Sequence, residues 1–207
     1  MAQIKNGING MVSGKAGNVV FYTMYGKNIV RSKPSPSVKS RKPSLKQNTQ
    51  RQKMTLVQQL LQPFKDLIKI TFAPVTMNNA AYHVAKSYNM RQAIKGDHFP
   101  NMGIDWQKTL ISAGTLELPE QAAMTQNENG LGFTWSVNPG RHSDSLLVVA
   151  LSKKHKHLDY RFTGIPRSQG HFKWDIDVEQ QEWHVWIAFR SMDETDMSNS
   201  LYLGLTH

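Results

Sequence analysis

Three clusters in the chain hold the residue types of metal binding or acid–base catalysis. Lys153-Lys154-His155-Lys156-His157 places two imidazoles two residues apart. On a strand both would point to one side, as two ligands of a metal ion would. No third donor stands near them and three lysines repel a cation, so the run reads as a solvated loop or strand edge. His142-Ser143-Asp144 offers the residue types of a hydrolytic triad, but adjacent residues rarely reach the geometry a triad requires. Asp175 and Asp177 share a face if Trp174-Asp175-Ile176-Asp177 is a strand, which is how the solvent side of a half-buried strand reads. His83 has no second ligand four residues on, and Gly14-Lys15 lacks the GxxxxGK[ST] frame of a phosphate-binding loop. Neither a G-x-S-x-G elbow nor an H-E-x-x-H helix is present. The sequence therefore assigns no catalytic residue, no metal ligand and no cofactor, and it names no reaction.

Charge is the stronger signal. The formal net charge is +10, yet residues 1–53 hold 11 Lys and Arg and no carboxylate, while the other 154 residues hold 14 basic and 15 acidic side chains. Seven cations form the candidate partner- or polyanion-binding set: Lys15, Lys27, Arg31, Lys33, Lys39, Arg41 and Lys42. A basic segment of this kind fits a polyanion or an acidic protein surface. For nucleic acid it offers cations for phosphates and Phe21, Tyr22 and Tyr25 for stacking. Those same aromatics stand where a hairpin needs its cross-strand pairs, and no base-reading helix or RNA-binding signature accompanies them.

The elements that would carry these residues can be read from periodicity. Glycines at 7, 10, 14 and 17 among Asn and Ser predict turns or bulges over the first 18 residues. Val19–Tyr25 and Asn28–Ser32 around Gly26-Lys27 predict a type II′ hairpin, which is marginal in water unless it joins a sheet, a helix or another chain. Residues 33–43, with three prolines, predict an extended arm. Ser44 and Gln47 have capping-box spacing ahead of a stripe from Leu56 to Ile68, where Pro63 predicts a kink or a fresh helix. A second helix is predicted from Asn79 to Lys95, with Gly96 beyond its end.

From Ile104 onward short strand-like runs alternate with polar turns. These are Ile104–Trp106, Thr109–Ser112, Gln121–Thr125, Leu131–Val137, Leu146–Leu151, His157–Phe162, His171–Asp177, His184–Arg190 and Leu201–Leu205. The pattern predicts a sandwich or barrel. In His184–Arg190 the face of Val185, Ile187 and Phe189 is core, and Trp186 on the other face covers an edge or an interface. The expected fold class is α+β: a basic hairpin and extended arm over 1–43, a two-helix middle over 44–103, and an immunoglobulin/fibronectin-like β-sandwich over 104–207.

The run Ile4-Lys5-Asn6-Gly7-Ile8-Asn9-Gly10, followed by Ser13-Gly14-Lys15-Ala16-Gly17-Asn18-Val19-Val20, resembles the start of an uncharacterised domain-of-unknown-function family common in Bacteroidota. Val30-Arg31-Ser32, Ala80-Ala81, Tyr88-Asn89 and the ending Ser198–Gly204 are similar too. Lys42-Pro43-Ser44 departs from the Asn-Pro-Arg-Thr-like segment of that family. The resemblance implies no activity and lends no site residues. The expected function is non-catalytic: a structural or assembly protein whose hairpin and arm contact copies of itself or other protein subunits. Nucleic-acid binding through the basic segment is the alternative. The short apolar runs and the absence of a classical signal peptide lead to the expectation of a soluble protein without membrane insertion, its location unassigned.

Overall fold

The computed structural model describes residues 3–4, 10–33, 42–76, 80–127, 130–137, 143–154, 157–177 and 182–206. The fold is α+β and forms two compact units, Met1–Ser44 and Leu45–His207.

The smaller unit is a four-stranded antiparallel sheet in the order β1-β2-β3-β4, with β1 Gln3–Ile4, β2 Val12–Ala16, β3 Val19–Met24 and β4 Lys27–Ser32. The expected hairpin is thus not alone, and the glycine-rich start supplies a strand as well as turns. Gly14 sits inside β2 with φ +112, a value that its missing Cβ permits. The β3–β4 turn is Tyr25-Gly26, because Met24 pairs with Lys27 and both loop residues have positive φ, +52 and +75. That is the type I′ pattern, one residue earlier than the expected type II′ turn. Gly17-Asn18 joins β2 to β3, with Gly17 at φ +54.

The larger unit opens on α1 Leu45–Leu61, which starts directly after Ser44. Pro63 has no N–H for the Gln59 carbonyl, so the helix stops and the chain restarts as α2 Lys65–Thr71. The third helix, α3, runs Ala81–Gln92 and is shorter than expected. Ile94–Lys95 (β5) instead pair with Gly103–Ile104 (β6), and Gly96 at φ +89 turns the chain between them. Ala81 and Ala85, both buried, bring α3 close to its neighbours.

Seven strands follow: β7 Ala122–Asn127, β8 Gly130–Trp135, β9 Ser145–Ser152, β10 Leu158–Pro166, β11 His171–Trp174, β12 Trp183–Arg190 and β13 Leu201–Leu205. They form two antiparallel sheets, β11-β8-β7 and β10-β9-β12-β13. The centre is the β9–β12 pair, buried along almost its whole length. Leu146, Val148, Ala150, Val185, Ile187 and Phe189 pack against Leu131, Phe133, Trp135 and Trp174 of the three-stranded sheet. The alternate residues Leu147, Val149, Leu151, Trp186 and Ala188 pack with the helices through Phe64, Leu67, Ile68 and Phe72. Trp186 is therefore fully buried, its ring edge-on to Phe64 at 5.8 Å, and not at an edge. The helices and the sheet β10-β9-β12-β13 share one core.

Thr109–Ser112 is not a strand. It is a buried strap whose peptide groups are met by side chains from three directions. Asn89 Nδ2 donates to the carbonyls of Ala85 and Leu110, both at 2.9 Å, and its Oδ1 accepts from Leu110 N–H at 3.0 Å. Thr71 Oγ1 donates to the Ile111 carbonyl at 2.7 Å, and Ile111 N–H donates to Ser200 Oγ at 2.9 Å. Ser112 Oγ donates to the Ser198 carbonyl at 2.8 Å. Irregular backbone can lie in a core only when its polar groups are satisfied in this way.

Asn89→Leu keeps the number and branching of the side-chain heavy atoms but strands the buried N–H and C=O of Leu110. Each such group costs about 1–3 kcal/mol. Urea unfolding should show a loss of about 2–4 kcal/mol for the larger unit.

Candidate functional site

Antiparallel register sorts the side chains of the N-terminal sheet onto two faces. Gly14, Phe21 and Val30 form one cross-strand row, and Ala16, Val19 and Ser32 the next. With Val12, Thr23 and Asn28 they make a face that carries no charge. The intervening rows, Lys15–Val20–Arg31 and Tyr22–Ile29 with Met24–Lys27, lie on the opposite face. Lys15, Lys27 and Arg31 therefore all project from one side. The Arg31 guanidinium lies 5.8 Å from the centre of the Tyr22 ring, a cation–π contact worth about 0.5–1 kcal/mol at an exposed site.

None of the described residues of Met1–Ser44 is buried, and Val30 is 56 % exposed. Tyr25, half exposed at the hairpin tip, holds the left-handed conformation that aromatic residues rarely adopt.

Of the other sequence candidates, Lys33 follows β4, and its N–H donates to the Asn18 carbonyl at 2.8 Å. Lys42 is exposed ahead of α1, while Lys39 and Arg41 lie outside the described residues, as does most of the proline-rich arm. The structure thus brings together three of the seven cations, Lys15, Lys27 and Arg31. Charge counting found these residues but not their shared face. Alternation along Lys15, Lys27 and Arg31 could reveal it only once the register of β2 on β3 is known.

Several described members of the chemical clusters make packing or polar contacts. The Asp144 carboxylate lies 3.7 Å from the guanidinium of Arg167, both buried. Arg167 also stacks on Phe189 at 4.1 Å and donates to the Glu117 carbonyl. Ser143 is exposed, and His142, His155 and Lys156 lie outside the described residues. His157 meets Trp183 at 5.7 Å in an edge-to-face contact. Strand β11 ends at Trp174, so Asp175 and Asp177 follow it rather than ride on it. The Asp177 carbonyl accepts a hydrogen bond from Trp183 Nε1 at 2.8 Å. Among the described residues no three His, Asp or Glu side chains gather as a metal-ligand set.

One aromatic cluster escaped sequence reading. His184, buried, stacks on Trp106 with ring centroids 3.7 Å apart, and its Nδ1 lies 2.8 Å from the Tyr202 hydroxyl. Burial pushes the Tyr202 phenol up from its ordinary value. Trp106, His184 and Tyr202 are far apart in sequence, and only the pairing of β12 with β13 joins the last two.

The chain belongs to a family of unknown function, DUF6266, whose profile matches residues 11–204. No curated protein and no solved structure matches it. Among the described residues no helix is long and apolar enough to cross a membrane.

The left-handed conformation of Tyr25 costs about 1–2 kcal/mol relative to a residue without a Cβ. Tyr25→Gly should remove most of that cost, and hydrogen exchange should show slower amide exchange along β3 and β4.

Proposed function

We propose that this DUF6266 chain is a non-catalytic structural or assembly protein whose N-terminal sheet and arm make contacts with copies of itself or with other protein subunits. One observation carries the reading: the unit Met1–Ser44 has no buried residue among those described, whereas Leu45–His207 holds two apolar cores. Fixing a backbone costs about 1–2 kcal/mol per residue, and burial of apolar surface is the main term that offsets it. A sheet in which no described residue is buried lacks that offset. A neighbouring subunit would supply it by covering a face or by pairing with an edge strand.

The C-terminal half fits an immunoglobulin/fibronectin-like module. Seven antiparallel strands divided between two facing sheets support this, and so do connections that cross between the sheets after β8, β10 and β11. In the constant-type immunoglobulin arrangement the fourth strand joins the first, second and fifth. Here the fourth, β10, pairs with the third, β9, which favours the fibronectin-like variant. Such modules commonly space or bind, so the analogy agrees with an assembly role without carrying it.

Light scattering on the full chain and on residues 45–207 tests the proposal. The full chain should form a larger particle, alone or with a candidate partner subunit, while 45–207 stays monomeric with an intact β-sheet circular dichroism signal. Equal subunit counts for the two, with partners present, would overturn it.

A second reading, nucleic-acid binding, draws on the shared face of Lys15, Lys27 and Arg31 beside Tyr22. It expects filter-binding affinity for a single-stranded oligonucleotide to fall steeply with salt, by a logarithmic slope of about −0.7 per neutralised phosphate. Exchanging those three cations for glutamine should flatten the slope. Absence of retention at low salt excludes this reading.

A further inference from the structure

We propose that the charge-free face of the N-terminal sheet is covered by the same face of a second copy, the two sheets packing about a two-fold axis that runs parallel to the strands between β2 and β3. The inference rests on the assembly reading and specifies its partner and geometry.

The four strands lie in the order β1-β2-β3-β4, so an axis between β2 and β3 passes through the middle of the sheet. A half-turn about it sets β3 of one copy over β2 of the other, and β4 over β1, with the sheets about 10 Å apart. The register then decides which side chains meet. Gly14 and Phe21 are direct cross-strand partners, so the same operation seats each Phe21 over the Gly14 of the other copy. Ala16 and Val19 are partners in the next row, so each Val19 seats over Ala16. In these two rows small residues on β2 face larger apolar ones on β3 in both directions at once. A two-fold interface requires that self-complementarity.

Charge selects the same arrangement. Lys15, Lys27 and Arg31 point outward from both sides of the pair, so none of these three cations enters the contact. An acidic partner would be drawn to the opposite, basic face. Edge pairing of β4 with β4 of another copy about Ile29 would set Lys27 against Arg31 on one face, and like charges directly opposite one another are unfavourable. The β2–β3 overlap measures about 17 Å by 10 Å and the two-residue β1 adds little opposite β4, so the footprint is on the order of 200 Å² per copy. That lies below the usual size of a stable interface, so the pair is weak and concentration-dependent.

The chain contains no cysteine, so single-cysteine variants of the full protein report the geometry cleanly. With a bis-maleimide of about 10 Å reach, matched to the sheet spacing, Ala16→Cys should cross-link to a dimer. Ser13→Cys, on the opposite face, should not. Sedimentation equilibrium should show a reversible monomer–dimer equilibrium for the native chain. Ala16→Glu and Phe21→Lys should each weaken it more than tenfold, and Tyr22→Lys on the basic face should leave it unchanged. Circular dichroism identifies any variant that fails to fold, and Ala16→Glu, at an exposed strand position, is the arm least exposed to that failure. A native chain that stays monomeric at every concentration, equal cross-linking at Ser13 and Ala16, or a folded Ala16→Glu that sediments like the native chain would each overturn the proposal. If residues 45–207 lose an association that Ala16→Glu retains, assembly through the N-terminal unit stands and this geometry fails.

Discussion

A strand that is apolar on both faces must be covered twice. Strands β9 and β12 are such strands, paired through eight consecutive residues from Trp183 against Ser152 to Arg190 against Ser145. One set of alternate side chains demands a second sheet, and the other demands helices. The three-stranded sheet answers the first through Phe133, Trp135 and Trp174, and the helices answer the second through Phe64 and Ile68. Fully burying one such side chain contributes about 1.5–3 kcal/mol, so this pair accounts for a large part of what holds the larger unit together.

Double coverage forces polar groups inside as well. The strap over Thr109–Ser112 lies between α3 and the 198–200 segment, where water cannot reach its peptide groups. Asn89, Thr71 and Ser200 replace that water. Arg167 solves a similar problem near the start of β9, where it packs its plane on Phe189 and lies against Asp144. Some residue types that suggest chemistry in the sequence also make packing and polar contacts here. The carboxylate of Asp144 is held against a guanidinium, and the ring of His184 between Trp106 and Tyr202.

The N-terminal sheet obeys the same hydrogen-bonding rules without the same coverage. Its ladders run β1 to β4, yet no described residue in it is buried. Its cations are gathered on one face and excluded from the other.

Local properties were legible in the sequence alone. Alternation in Leu131–Val137 and the run Leu146–Leu151 placed strands where β8 and β9 lie, Pro63 marked the break between α1 and α2, and the absence of carboxylates before Asp66 marked the basic segment. What the tertiary structure decided depends on partners distant in the chain. Trp186 reads as an edge residue until helices are known to cover its face. Thr109–Ser112 reads as a strand because β-branched and apolar residues suit both a strand and a buried strap. Tyr25-Gly26 forms the turn because the Met24–Lys27 pairing fixes the loop length, and a one-residue change in register would exchange the two faces of the strand. The charge-free face has the same origin: which side Lys15 shares with Arg31 is set by hydrogen bonds between strands, and a linear sequence does not contain them.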